Sequence, residues 1–143
     1  MAKKVSLLML LFIILISSTV IHAKELQYAE IFDPRQNKVV KEVQMNSEIQ
    51  NIIVCSLKDV NHLYGKINPV TDDGYAIRIP LDPDVKVNGK WLNIEVSEVY
   101  IVIPKNDPPF FLIFEDINKL SCFPFSGDID ALSKALNFNL KVK

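Results

Sequence analysis

Apolar and polar positions along the chain change period several times, and each change marks an element. Leu26 to Phe32 alternates in part, and Lys38 to Val43 does the same, so both predict strands. Asp33-Pro34-Arg35-Gln36-Asn37 between them supplies turn chemistry and makes the pair a hairpin. The period then lengthens. Ile49, Ile52, Ile53, Ser56, Leu57, Val60, Leu63 and Tyr64 fall on one stripe at helical spacing. Ser47 with Gln50 has the pattern of a capping box, and Gly65 stands where a left-handed C-terminal cap belongs. The spacing therefore predicts a helix over about 47–64.

The middle of the chain returns to a period of two. After the Asp73-Gly74 turn, Tyr75, Ile77 and Ile79 alternate with Ala76 and Arg78 until Pro80 stops the pattern. Asn88-Gly89 is a hairpin-turn signal between Val85-Lys86-Val87 and the run that starts at Trp91. Within that run Leu92, Ile94 and Val96 share one parity, whereas Val99, Ile101 and Ile103 share the other. A phase change of this kind near Ser97-Glu98 predicts a β-bulge or a short helical turn. Pro104 to Pro109 reads as a loop, and Phe110 to Phe114 is apolar throughout. A strand apolar on both faces is expected in the centre of a sheet. Leu120 to Phe125 predicts another strand, with Pro124 placing it at an edge. Asp128 can cap a short helix over about 128–137 carrying Ile129, Leu132 and Leu136, and Phe138, Leu140 and Val142 alternate as a closing strand.

The order β-β-α-β-β-β-β-α-β specifies an α+β fold: a mainly antiparallel sheet packed against one long helix and one short C-terminal helix. The first 23 residues stand apart from it. Lys3 and Lys4 precede Val5 to Ile16, apolar except for Ser6, and a polar dip at Ser17-Ser18-Thr19 leads to Ala23. This is the order of a secretory signal, with Ala23 before the cut. Residues 1–23 are thus expected to be a signal peptide and 24–143 a single extracytoplasmic domain. The alternative is an uncleaved N-terminal anchor, since the apolar count up to Ile21 touches the lower edge of spanning length. That segment is the only expected route to a membrane.

Composition narrows the functions. Among 143 residues, 23% are charged and the net charge is −1, so no surplus of Lys and Arg exists to neutralise phosphates, which excludes a broadly basic nucleic-acid binder. The 49% hydrophobic content excludes disorder over most of the chain. The four glycines all fall at turns or helix ends, leaving none for a phosphate-cradling loop. No cofactor is expected. His62 is the one histidine beyond the leader, so any Cys–His or Ser–His chemistry depends on it, and it sits at a helix end where a cationic side chain suits the dipole. The acidic pairs Asp72-Asp73, Asp82 with Asp84 and Asp128 with Asp130 lack calcium-loop spacing and read as turn and cap residues. Cys55 and Cys122 can form one disulfide in an oxidising compartment. Cys55 lies about 60° outside the apolar stripe on a helical wheel, and the reading favours two reduced, partly buried thiols.

Aromatic density is the remaining lead. Phe110, Phe111, Phe114, Phe123 and Phe125 lie close together beside Pro108, Pro109 and Pro124. They read first as ordinary core, and second as a sheet face that binds a protein partner. The stretch from Gly74 to Asp116, with Tyr-Ala-Ile-Arg-Ile-Pro-Leu and Phe-Leu-Ile-Phe-Glu-Asp, resembles small exported proteins of Bacillus-like Gram-positive bacteria. That resemblance implies a secreted or cell-surface setting and no activity. The expected function is a non-enzymatic exported module that binds a protein. The alternatives are a structural envelope or coat component and a small thiol- or His-dependent hydrolase.

Overall fold

The computed structural model describes residues 25–65 and 73–141. The expected signal peptide and Asp72 lie outside these residues. The elements are β1 (Tyr28–Asp33), β2 (Lys38–Gln44), α1 (Ser47–Lys58), β3 (Tyr75–Asn88), β4 (Asn93–Ile103), β5 (Phe110–Asp116), β6 (Lys119–Pro124) and α2 (Ile129–Leu136). The strands form one six-stranded sheet in the order β2-β1-β3-β4-β5-β6, and every neighbouring pair is antiparallel. The fold is α+β in a single small domain, with the sheet as its larger part.

Both helices lie on one side of the sheet. Ile49, Ile53 and Leu57 of α1 and Leu132 and Leu136 of α2 join Ile31, Ile77, Ile101, Phe111 and Phe123 in one buried cluster. Burying side chains of this size contributes about 1.5–3 kcal/mol each, which makes this layer the main source of stability.

The β1–β2 hairpin is tied to the start of β3 by its turn. The Asp33 carboxylate, buried at the end of β1, accepts from Arg35 Nε and Nη2 at 3.0 Å each and from Gln36 Nε2 at 3.0 Å. Arg35 Nη2 also donates to the Tyr75 hydroxyl at 3.2 Å. The guanidinium beside it holds the Asp33 carboxyl well below its ordinary range, at about 2.

The long helix predicted over 47–64 is not formed. α1 ends at Lys58, and Asp59 is its C-cap, so Gly65 caps nothing. Asp59 and Asn61 are poor helix residues, and the chain beyond them gains tertiary contacts that a helix would forgo. Tyr64 N–H donates to the Cys122 carbonyl on β6 at 2.9 Å, and its ring stacks on Phe110 at 5.1 Å. The start of α1 also differs by one residue. Asn46 is the N-cap, its Oδ1 accepting from Ile49 N–H at 2.9 Å. Gln50 turns instead to β3, accepting from Asp82 N–H and donating to the Pro83 carbonyl.

β3 continues through Pro80, where the pattern was expected to stop. Pro80 pairs with Glu98 and Val85 with Val96, so Leu81 to Asp84 bulge out opposite Ser97 alone. The phase change in β4 is therefore real, and the extra residues that cause it belong to β3. Among the described residues the closing strand does not form, and Val142 lies outside them: Leu140 is buried beyond α2, its N–H donating to Ser133 Oγ at 3.3 Å. α2 itself forms as predicted, with Asp128 Oδ1 accepting from Asp130 and Ala131 N–H.

Candidate functional site

With both helices on one side, the other side of the sheet carries no helix among the described residues, and the register lays out its side chains in rows. One row runs Glu42, Glu30, Arg78, Tyr100, Leu112, Cys122 from β2 to β6. The next row, nearer the β5–β6 turn, runs Gln44, Tyr28, Pro80, Glu98, Phe114, Leu120.

The middle of this open face is a half-buried charged group. Arg78 donates from Nε to Glu98 at 3.1 Å and lies 3.5 Å from Glu30. The Tyr100 hydroxyl bonds to Glu98, and that bond, reinforced by partial burial, raises the phenol above its ordinary range. One guanidinium between two carboxylates fixes side chains more than it stabilises, since pairs this exposed contribute little.

Apolar side chains flank the charged middle. Phe114 is 56% exposed and meets Tyr100 edge to face at 6.1 Å, Leu120 opposite it is exposed, and Ile117 in the adjoining turn is 97% exposed. The turn is held by Asp116, whose Oδ1 accepts from Asn118 N–H at 2.7 Å, so nothing local requires an isoleucine there. At the far side, Tyr28 on β1 and Leu26 just before it are 40% and 61% exposed.

The five phenylalanines separate. Phe111, Phe123 and Phe125 point into the helix-covered core, and Phe111 packs edge to face on Phe125 at 5.1 Å. Phe110 points to the open face but is buried under Tyr64. Only Phe114 offers its ring to a partner. β5 is accordingly neither central nor covered on both sides along its length: it is next to the edge, and its open-face side chains run from buried Phe110 through half-buried Leu112 to exposed Phe114.

Cys55 and Cys122 are free thiols. Cys55 is exposed on α1, whereas Cys122 is half-buried on the open face, so the sheet stands between them and no bridge forms. Desolvation raises the Cys122 thiol above its ordinary range. His62 is exposed, with Nδ1 paired to its neighbour Asn61 Oδ1, and neither sulfur is its partner. Among the described residues no three His, Cys, Asp or Glu side chains are grouped to hold a metal ion. Asp128 caps α2, and Asp130 pairs with Lys141 at 2.9 Å.

One cleft of about 490 Å³ lies at the N-terminus of α1, lined by Leu26, Met45, Asn46, Gln50, Asp82 and Pro83 among others. Asn46 is engaged there in the helix cap and Gln50 in the clamp on the bulge. Among the described residues no helix is long and apolar enough to cross a membrane. No family model, curated protein or solved structure matches the chain.

Ile117, Tyr28 and the Glu30–Arg78–Glu98 group were not singled out by sequence reasoning. A signal for each is present. Ile117 is an apolar residue inside a turn, Arg78 stands in a strand whose opposite parity is apolar, and Glu98 stands at the phase change of β4.

Proposed function

We propose that this chain is an exported, non-enzymatic module that binds a protein through the open face of its sheet, with Phe114 as the central contact. The observation that carries this reading is the exposed group Phe114, Ile117 and Leu120 on the β5–β6 hairpin, set beside a fixed Tyr100 ring. Exposed aromatic and aliphatic side chains on rigid strands supply contact area at small entropic cost. Export rests on the leader-like order of residues 1–23, and the resemblance to exported proteins of Bacillus-like bacteria agrees with it. The separation of His62 from both thiols supports the non-enzymatic part of this reading.

In vivo photocrosslinking tests the reading. A photoreactive residue at position 114 is expected to capture protein, and the same residue at Lys58 on α1 is expected not to. Equal yields from both positions, or none from 114, refute it.

A further inference from the structure

Two groups of exposed apolar side chains lie at the same end of the open face. One is Leu26 and Tyr28 at the start of β1; the other is Phe114, Ile117 and Leu120 on β5 and β6. In the order β2-β1-β3-β4-β5-β6, β1 is second and β5 is second from the opposite edge. Tyr28 and Phe114 are therefore equidistant from the line between β3 and β4, and Leu120 lies one strand further out. Tyr28 and Phe114 also share one row, since Glu30 pairs with Arg78, Arg78 with Tyr100 and Tyr100 with Leu112. A two-fold axis parallel to the strands and above that line exchanges the groups.

From this placement we propose that the partner of the open face is a second copy of this chain, packed face to face about that axis. The proposal rests on the reading of the open face as a binding surface and supplies its partner. Under this operation β1 lies over the partner's β5, so Tyr28 meets the partner's Phe114, and the contact occurs twice. Leu26 lies towards the turn that carries the partner's Ile117. The central charge is matched as well: β3 lies over the partner's β4, which sets Arg78 on the partner's Tyr100 ring and within reach of the partner's Glu98, one step along that strand. Parallel strand axes agree with the aligned packing that twisted sheets favour.

Size sets the strength. Six strands span about 29 Å, and the two rows with their flanks run about 17 Å along the strands. Two such faces bury about 1,000 Å² in total, at the lower end of specific interfaces, so a weak dimer with a micromolar Kd is expected.

The test uses purified protein in a C55S/C122S background, which removes the native thiols. Sedimentation equilibrium is expected to show a monomer–dimer system with a micromolar Kd, weakened at least tenfold by Phe114→Glu. Y28C and F114C proteins, mixed and oxidised, are expected to give a disulfide-linked dimer. Neither alone is expected to do so, because like positions are roughly 14 Å apart across three strand spacings. A dimer linked by Y28C alone or F114C alone overturns the proposed axis. A monomer up to about 100 μM overturns the proposal outright. In that case, capture of a different protein from position 114 leaves the binding-surface reading standing, and capture of nothing removes both.

Discussion

Gly74 is buried where β3 begins, and a methyl group there has nowhere to go. A Cβ at this position would lie 1.9 Å from the Ile103 carbonyl oxygen, 2.8 Å from its carbon and 2.9 Å from Pro104 Cα. All three are backbone atoms, so no rotamer change relieves the contact. The oxygen contact must widen from 1.9 Å to the 3.4 Å of ordinary packing, and that displacement separates Tyr75 from Ile103, the terminal pair of β3 and β4. Overpacking costs about 1–3 kcal/mol, and loosening a ladder hydrogen bond adds about 1. Gly74→Ala is thus expected to destabilise by about 3 kcal/mol, or about 10–15 °C in Tm. Gly65→Ala is the control, because nothing lies within 4 Å of the added carbon, and it is expected to be neutral or stabilising by up to about 1 kcal/mol. Urea unfolding followed by Trp91 fluorescence measures both. A Gly74→Ala protein within about 0.5 kcal/mol of the parent, at an unchanged m-value, refutes the close-approach explanation.

Asn46→Ala is expected to cost about 1 kcal/mol in the same assay, while Ser47→Ala costs a few tenths; the reverse order restores the capping box. Asp33 ionises at about 2 in the folded chain against 3.8 ordinarily, so its ion pair with Arg35 stabilises fully above about pH 4 and fades as pH falls towards 2. Asp33→Asn is expected to flatten the urea midpoint between those values, and a slope equal to the parent's contradicts the assignment. Both cysteines are expected to titrate as thiols in denatured, unreduced protein, and in the native state Cys55 is expected to react before Cys122; a chain with no free thiol overturns this. Mass spectrometry of the secreted fraction is expected to find a form starting at Lys24, and an intact Met1 species confined to membranes would favour the anchor.

Much of the fold was legible because one face of each long strand is buried. Ile77 with Ile79, and Val99 with Ile101 and Ile103, had to be apolar for that reason, and their period survived in the sequence. The hairpin around Asp33 to Asn37 and the cap at Asp128 were legible through side chains that bond locally. The helix end was not. Val60, Leu63 and Tyr64 continue the stripe by position, yet Tyr64 is directed by Phe110 and the Cys122 carbonyl, which are remote in sequence. The surface was legible only in part, because an apolar run in β5 has the same letters whether its second face is covered or open. Phe110 lies under the Tyr64 ring, whereas Phe114 is exposed beside Tyr100.

The position of β1 between β2 and β3 constrains the order in which the sheet assembles. β3 to β6 form a meander whose pairings join near neighbours in sequence, and the β1–β2 hairpin is equally local. The seam between them, Glu30 with Arg78 and Ile31 with Ile77, closes only after the whole of α1 and the following loop have been gathered in. Loop-closure entropy makes that seam the slow, non-local step. Native-state hydrogen exchange is expected to find two cooperative units, with the β1–β3 amides opening separately from those between β4 and β5. A chain emerging from its N-terminus would then carry a finished hairpin that waits for the rest of the sheet before it docks.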